Sequence, residues 1–515
     1  GCVGSEIRTP NIDAMAQRGT LLSAMYNCAR CCPTRASLLT GLYPHRAGIG
    51  HMGADLGGEA YQGYLRDDCA TIAEVLRAGG YRTLMSGKWH VGGDYADPRL
   101  CNQWQPGDAG HPTPRQRGFD RFYGMVDGAG SFFEPHFLMR DDERIFVSDD
   151  AFHMTDAFSD EACRMIADSA GEAAPFFLYL AYTAPHWPLH AWPEDIAAYD
   201  GVYRGGWDAV RTARHEEMLG RGVLEQGWAI SPRDESAPPW QACGQPDWEA
   251  ERMAVYAAMV TQMDRGIGRV LDTLRATGQY DDTLILFLSD NGGCAEFLAE
   301  DGWAQTYPTQ LRDGRHAWLG NRPNLHPGAA DTFMSYDLPW ANVSNAPFRL
   351  FKHWVHEGGI STPLIAQWPA RLEGPRIAHE ACHVVDILPT ILDATGVTAP
   401  GELNEQALQT TDGESFLDLL AGKTWSRDAP ILWEHEGNCA VRQGPWKLVR
   451  RFGQDWELYH MVEDRTELNN LRGRHQPLET ELTALHEHWC DAIGVRDWGE
   501  LESAFLTYYN MKDQG

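Results

Sequence analysis

The sequence predicts an α/β protein that carries a smaller α+β region at its carboxyl end. Along most of the 515 residues, apolar runs alternate with helical patterns, which is typical of a sheet covered by helices. The composition shifts at Pro400–Gly413, and the segments beyond it alternate like antiparallel strands. A chain of this length is large enough for more than one structural unit. We therefore predict one domain over residues 1–410 and a second over residues 411–515.

The first elements of the predicted α/β domain are a helix and two strands. Thr71–Ala78 places its apolar residues on one helical face, and the two glycines after it commonly end a helix. Tyr81–Ser86 has the pattern of a strand. Pro175–Tyr182 is a continuous apolar run, which predicts a strand buried on both faces.

The next elements repeat this alternation. Glu251–Ala276 has an apolar stripe at helical spacing, so we predict a long helix there. Thr283–Leu288 is predicted to be another buried strand. Polar or charged residues follow each predicted strand, and open α/β sheets bind ligands at that end of their strands. Segments far apart in sequence are therefore expected to meet at one crevice.

The carboxyl-terminal region has a different pattern. Three segments alternate like antiparallel strands, namely Ala440–Arg442, Trp446–Val449 and Trp456–Tyr459. A helix is predicted to follow over Leu478–Cys490. This order of elements predicts a small α+β domain with an antiparallel sheet.

The charge of the chain restricts its partners. The net charge is -29, and no basic segment is long enough to follow a phosphate backbone, so we expect no nucleic-acid partner. No apolar run approaches the length of a membrane span, and no signal peptide is apparent. The 12 cysteines are too scattered to form a disulfide framework. An anionic substrate would have to be attracted by a local cluster of cations.

The most informative motif is Cys31–Gly41, which reads C-C-P-T-R-A-S-L-L-T-G. Together with Cys28, its two cysteines form a C-x-x-C-C cluster, which suggests a redox pair or half of a zinc site. A redox pair should open a helix after a strand in a thioredoxin-sized unit, and a zinc site needs a second pair of ligands nearby. Neither context is visible. Packed structural cysteines are the remaining alternative, since free cysteine is commonly buried.

Other candidate residues lie close to this motif or after a predicted strand. Arg35 is four residues after Cys31, which is one helical turn if Pro33 opens a helix. Lys88 and His90 are two residues apart, so an extended backbone would point both to one side. Taken alone, they are more often a solvated lysine and a packed histidine.

The remaining candidates are equally weak when taken alone. His186 lies between a proline and a tryptophan. Asp290 and Asn291 follow a predicted strand, and their oxygens suit a hard cation such as Ca²⁺, although an Asx turn would use the same residues. Lys352 precedes a His-Glu-Gly-Gly sequence, whose glycines allow the backbone to approach a site closely.

In this order, the candidates resemble the type I sulfatases, and the bacterial arylsulfatases in particular. The Cys-x-Pro-x-Arg spacing, followed by Leu38–Gly41 and Tyr43–His45, is similar to the recognition core of that family. Similar stretches occur at Ile7–Asp13, Trp340–Asn345 and Val385–Thr390, so the resemblance covers nearly the whole chain. It implies the alkaline-phosphatase-like fold, a large, mostly parallel mixed sheet flanked by helices. It also implies hydrolysis of sulfate monoesters by the first domain.

The resemblance implies a role for each residue around the nucleophile. Cys31 would be oxidised to formylglycine by a formylglycine-generating or equivalent maturation enzyme, and the hydrated aldehyde would attack sulfur. Asp290 would assist deprotonation of the hydrate, while Arg35 and Lys88 would hold it and offset charge. His90 would take the proton from the remaining hydroxyl and so expel sulfate.

The resemblance also assigns the leaving-group side and the metal. His186 would be the acid for the leaving alcohol, with Lys352 on the bridging or sulfate oxygens. The implied cofactor is Ca²⁺, with Asp290, Asn291 and the modified Cys31 as ligands. We also expect His435, in the C-terminal domain, to reach the cleft as a substrate residue. The expected substrate is a small-molecule or carbohydrate sulfate ester, and the resemblance favours a periplasmic or secreted protein.

The chain departs from the family at its beginning. Members normally have a buried strand that ends in two adjacent aspartates, just upstream of a segment like Gly1–Pro10. We expect that strand, the aspartates and any signal peptide to lie before residue 1. Asp13 is no substitute, because it is expected in the first turn of a helix opened by Pro10. We therefore predict that this chain alone binds Ca²⁺ weakly and turns over slowly.

Two other functions stay open. Phosphonate monoester hydrolases and phosphodiesterases of the same superfamily can also use formylglycine, and relative rates on aryl sulfates and aryl phosphodiesters would separate them from sulfatases. A non-catalytic protein that binds sulfate esters is the second alternative, because of the missing aspartates. An unmodified thiol at Cys31, in a host that has the maturation enzyme, would favour that alternative.

Overall fold

The structure of the protein is a computed structural model that describes residues 1–93, 105–302, 306–403 and 405–511. Its helices are α1 (Pro10–Arg18), α2 (Cys31–Thr40), α3 (Ile72–Ala78), α4 (Met154–Ser169), α5 (Pro193–Ala197), α6 (Gly206–Gly220), α7 (Pro246–Ala276), α8 (Asp337–Ser344), α9 (Glu357–Ile360), α10 (Ile387–Thr395), α11 (Leu417–Leu420), α12 (Gln476–Ile493) and α13 (Trp498–Met511).

Its strands are β1 (Thr20–Leu22), β2 (Met25–Tyr26), β3 (Arg82–Gly87), β4 (Arg121–Met125), β5 (Leu138–Arg140), β6 (Glu143–Ile145), β7 (Phe176–Ala181), β8 (Ile285–Leu288), β9 (Trp318–Leu319), β10 (Thr332–Phe333), β11 (Leu364–Gln367), β12 (Arg376–Ala378), β13 (Cys382–His383), β14 (Glu402–Leu403), β15 (Gln406–Ala407), β16 (Ile431–His435), β17 (Asn438–Gln443), β18 (Trp446–Arg450) and β19 (Glu457–His460).

The central strands form two sheets. One has the order β6-β5-β4-β3-β7, in which β3 is parallel to both β4 and β7. The other has the order β12-β1-β11-β8, in which β11 is antiparallel to β1 and β8. Leu178 and Phe287 contact the core that includes α4 and α7, whereas Tyr179 and Leu286 contact the core that includes α2, α3 and α10. Helices therefore cover both faces, and the predicted α/β class is confirmed.

Local sequence explains the elements that were predicted well. Thr71 caps α3, because its side chain accepts from the backbone N–H of Glu74 while the Glu74 carboxylate accepts from the backbone N–H of Thr71. Helix α7 starts at Pro246, which is five residues earlier than predicted, and proline is common in the first turn of a helix. It ends next to Gly278, whose φ of 72° suits a glycine.

The burial of β7 and β8 differs from the prediction. We predicted strands buried on both faces, but the side chains of both strands are half-buried apart from Ala181. In the described residues, β7 pairs with β3 and β8 pairs with β11, and the other edge of each strand has no partner strand. A cavity of about 1070 Å³ is lined by both strands. Their side chains are thus covered above and below by helices but open toward this cavity.

The carboxyl-terminal part contains the predicted antiparallel sheet. Its order is β16-β17-β18-β19, and α12 packs against it through Leu482. Phe416 and Leu419, which precede the sheet, pack in the same core as Ile387 of α10. The boundary between residues 410 and 411 stays a prediction. In the described part of the chain, no helix has both the length and the apolar character that a membrane span requires.

Candidate active site

Cys31 is the first residue of helix α2. The residue before it, Arg30, has an extended backbone, and Gly41 closes the other end in the left-handed conformation at φ 67°. Positive partial charge at a helix N-terminus favours an anion there. Cys32, Lys88 and His90 lower the pKa of the Cys31 thiol, although burial opposes them. The predicted nucleophile therefore lies in a cationic environment.

Arg35 lies one turn further along α2 and links three elements. Its Nε and Nη2 donate to Asp290 Oδ2 at 3.1 and 2.8 Å, and its Nη1 donates to the carbonyl of Lys88 at 2.9 Å. Nη1 also lies 3.3 Å from the Tyr179 hydroxyl on β7. Because this planar fork has several fixed donors, one buried side chain aligns the ends of β3, β7 and β8.

Lys88 and His90 follow β3, but not with the extended backbone that we predicted. His90 has a φ of 57°, so the chain turns there rather than continuing the strand. The Cys32 thiol donates to the His90 carbonyl at 2.9 Å and holds this turn next to α2. Burial lowers the pKa values of both Lys88 and His90. Both side chains lower the pKa of the Cys31 thiol, and the roles that the resemblance assigns to them stay predictions.

His186 and Lys352 form the second pair in the site. The Lys352 ammonium donates to His186 Nε2 at 3.3 Å, and His186 Nδ1 lies 2.8 Å from the carbonyl of Trp187. A carbonyl oxygen can only accept, so Nδ1 carries the hydrogen and Nε2 has a lone pair that accepts from Lys352. Burial, together with the charges of Lys352 and Lys88, lowers the pKa of His186 to about 3. His186 is therefore neutral at pH 7 in the free protein.

Glu296 belongs to the site but was missed in the sequence. Its carboxylate lies 3.2 Å from Lys352 and 3.5 Å from Arg30, and it accepts from Trp187 Nε1 at 2.7 Å. Although burial opposes ionisation, Lys352 and Arg30 hold the pKa of Glu296 far below its usual value. Burial disfavours the Lys352 cation, but Cys294 and Glu296 raise its pKa above the usual value. No sequence signal marked Glu296, because it lies in an irregular segment without a motif.

Asp290 and Asn291 offer the oxygens that were predicted to bind Ca²⁺. Arg35 uses Oδ2 of Asp290, and the Asn291 amide nitrogen donates to the carbonyl of Gly292, which leaves the amide oxygen for a ligand. Carboxylate and amide oxygens are the ligand type that Ca²⁺ prefers, but a complete set has about six to eight oxygens. These two residues fit the ion in kind and supply part of its coordination.

His435 is the last residue of β16. Among the described residues, it makes no hydrogen bond or ion pair with Cys31. Its Nε2 is 3.4 Å from Glu436, which also lies 3.6 Å from Arg30. Arg30 directly precedes Cys31, so His435 connects to α2 through two charged residues. Its predicted contact with substrate stays a prediction.

The sequence that forms this site matches a known protein family. The family model described as Sulfatase matches residues 1–397. The chain belongs to the sulfatase family. A second model, described as N-sulphoglucosamine sulphohydrolase, C-terminal, matches residues 348–490 of this sulfatase.

Named relatives extend over most of this sulfatase. An uncharacterized sulfatase of Schizosaccharomyces pombe is 32% identical over 94% of this chain and 89% of its own length. The arylsulfatase of Klebsiella aerogenes is 32% identical over 83% of this chain and 90% of its own. A crystal structure of Ps i-CgsB with k-i-k-neocarrahexaose has a TM-score of 0.66 and 25% identity, covering 94% of this chain and 88% of that one. The protein is a sulfuric ester hydrolase.

Proposed function

We propose that the protein hydrolyses sulfate monoesters with Cys31, converted to formylglycine, as its nucleophile and with Ca²⁺ as its cofactor. The observation that carries this proposal is the meeting of five predicted residues at the start of α2. Arg35 joins Asp290 to the backbone of Lys88, and Lys88 and His90 act on Cys31. These residues come from separate segments of the sequence, and sulfate-ester cleavage needs all of their chemistries.

Binding of the sulfate group relies on local cations. Lys88 is 1% exposed, and Lys352 is 6% exposed, so water screens neither charge well. An anion placed between them and the start of α2 would gain from both ammonium groups and from the helix end. This local charge offsets the unfavourable field of the acidic protein.

The nucleophile would be held by Arg35, Asp290 and His90. Formylglycine, once formed, supplies a hydrated aldehyde whose hydroxyl attacks sulfur. Asp290, fixed by Arg35 at 2.8 Å, is the carboxylate positioned to accept a proton. Burial lowers the pKa of His90, which favours its neutral form. Neutral His90 is the base that would take the proton from the remaining hydroxyl of the hydrate and so expel sulfate.

The leaving alcohol would be protonated at His186. In the free protein Nε2 of His186 is a lone pair that accepts from Lys352. A bound sulfate ester adds negative charge beside the ring, which raises the pKa of His186 and favours a proton on Nε2. Lys352, held by Glu296, stays charged and binds the bridging or sulfuryl oxygens.

The cofactor and the substrate class follow from the same residues. Ca²⁺ would be held by Asp290, Asn291 and the oxygen of modified Cys31, where its charge would stabilise the sulfate group. The bound oligosaccharide in the Ps i-CgsB structure supports a carbohydrate sulfate ester as one substrate class for this chain. A small aryl sulfate is the other class, because of the similarity to an arylsulfatase.

The test uses the protein co-expressed with a formylglycine-generating enzyme. We expect the peptide containing Cys31 to show the mass of the aldehyde, and sulfate release from an aryl sulfate to depend on that modification. Cys31→Ala should abolish release, whereas Cys163→Ala, which changes a cysteine on α4 outside the site, should keep it. Faster turnover of an aryl phosphodiester would overturn the substrate assignment, and full activity of Cys31→Ala would overturn the mechanism.

A further inference from the structure

A cluster of three histidines and one glutamate lies beside the proposed sulfate site. This rim cluster consists of His51, His353, His435 and Glu436. His353 directly follows Lys352, and the other members come from the loop after α2 and from the turn between β16 and β17. The proposed hydrolysis assigns no chemistry to the cluster as a whole.

The nitrogen atoms of the rim cluster converge on the Glu436 carboxylate. His353 Nδ1 lies 2.7 Å from Oε2, His435 Nε2 lies 3.4 Å from Oε1, and His51 Nε2 lies 2.8 Å from Oε1. The ligand atoms of His353, His435 and Glu436 all lie within 4.8 Å of one another. Ligands about 2.0–2.2 Å from a tetrahedral zinc ion are about 3.4 Å apart, so the present separations, from 2.7 Å up to the 4.8 Å limit, bracket the spacing that the ion needs.

The backbone is strained at two members of the cluster. His353 has a φ of 93°, and Glu436 has a φ of 52° as the first residue of the tight turn that joins β16 to β17. Left-handed backbone costs a residue other than glycine about 1–2 kcal/mol. Such strain persists where the surrounding structure fixes it and is frequent at binding sites. Here it brings the side chains of these two residues into contact with each other.

Two buried imidazoles of the cluster have ring nitrogens without a hydrogen-bond partner among the described residues. His435 is 1% exposed, and its Nδ1 has no hydrogen-bond partner among the described residues. Nδ1 of His51 is also without a partner in the described part of the chain. Three imidazoles face the Glu436 carboxylate, and imidazole nitrogens beside a carboxylate are the ligand chemistry that Zn²⁺ takes.

We propose that His353, His435 and Glu436 bind a first-row divalent cation, with Zn²⁺ the best match, and that His51 supports it by hydrogen bonding to Glu436. Two imidazoles and one carboxylate are a known zinc ligand set that leaves a fourth position for water or substrate. Imidazole ligands suit Zn²⁺ and disfavour Ca²⁺, so this site differs from the oxygen site at Asp290. Support by a second residue on a ligating carboxylate is typical of zinc centres.

Arg30 is the residue that opposes this site, because its cation lies 3.6 Å from Glu436. Arg30 has a second acceptor in Glu296 at 3.5 Å, which balances its charge when Glu436 turns to a metal. A direct contact of His435 with substrate is the competing explanation. It predicts effects of His435 variants on substrate binding that are the same in metal-free and zinc-loaded protein.

The test titrates Zn²⁺ into the full chain after removal of metals by a chelator, with excess Ca²⁺ present throughout. We expect one equivalent to bind. His435→Ala or Glu436→Gln should weaken binding by at least about 100-fold, and His51→Ala by about 10-fold. His326→Ala is the matched control, since His326 contacts Glu251 at 2.9 Å but is 92% exposed. It should bind Zn²⁺ as the parent does.

Co²⁺ can be bound to the parent chain in place of Zn²⁺, so this second measurement does not depend on whether a variant folds. Tetrahedral coordination by two imidazoles and a carboxylate gives Co²⁺ an intense visible absorption band, which an octahedral oxygen site does not give. We expect this band in the parent chain, removed by one equivalent of Zn²⁺ and unaffected by Ca²⁺. Absence of the band, or equal Zn²⁺ affinity in the parent and Glu436→Gln, would overturn the proposal.

Discussion

Replacing Arg35 by methionine tests how much of the site depends on one guanidinium. Arg35 is 6% exposed and donates to Asp290 at 2.8 and 3.1 Å and to the carbonyl of Lys88 at 2.9 Å. Methionine has a similar length and no donors, so it keeps most of the packing and removes the fork. The substitution therefore separates hydrogen bonding and charge from the space that the side chain fills.

The cost can be worked out from the burial of the two partners. Breaking a fully buried ion pair costs about 3–5 kcal/mol, whereas an exposed pair is worth at most about 1 kcal/mol. The side chain of Asp290 is 29% exposed, so we take about 2–3 kcal/mol for the ion pair. The hydrogen bond to the Lys88 carbonyl adds about 1 kcal/mol. We expect Arg35→Met to lower the free energy of unfolding by about 3–4 kcal/mol.

A double-mutant cycle measures the pair itself. Urea denaturation of the parent, Arg35→Met, Asp290→Asn and the double variant should give a coupling energy of about 2 kcal/mol, which corresponds to a factor of about 30. In the matured enzyme, kcat/KM for an aryl sulfate should fall by at least about 100-fold, because Asp290 and Lys88 lose their alignment. Arg35→Lys, which keeps the charge, should recover only part of this loss. A coupling energy below about 0.5 kcal/mol would refute the reasoning.

Two further predictions concern the rest of the site. In Glu296→Gln the pKa of Lys352 should fall, so the alkaline limb of the pH–rate profile should move to lower pH; an unmoved limb would show that Glu296 does not hold this cation. Histidine NMR should show His186 titrating near pH 3, and Lys352→Met should raise that midpoint, because a cation at 3.3 Å disfavours the protonated ring. Titration near pH 6.5 in the parent would contradict the assignment of the neutral ring.

The parts of the site that sequence predicted well are those set by short-range geometry. Arg35 is one turn after Cys31 because both lie on α2, and Asp290 follows β8 because an apolar run must end where polar residues begin. The errors came from longer-range effects. His90 turns out of the strand because Cys32 holds its carbonyl, which no local pattern indicates. Glu296 lies near Lys352 through the path of an irregular segment.

The charges of the site explain how an acidic protein can bind a sulfate group. Each of the cations Arg35, Lys352 and Arg30 has a carboxylate partner, Asp290 for the first and Glu296 for the other two. In the described part of the chain, Lys88 takes part in no such ion pair, and burial lowers its pKa. A buried cation without a carboxylate partner gains more than a paired one from an incoming anion, because that anion is the first to offset the cost of its burial. Sulfate binding should therefore depend most on Lys88, while the paired cations set the orientation of the ester and of the residues that transfer its protons.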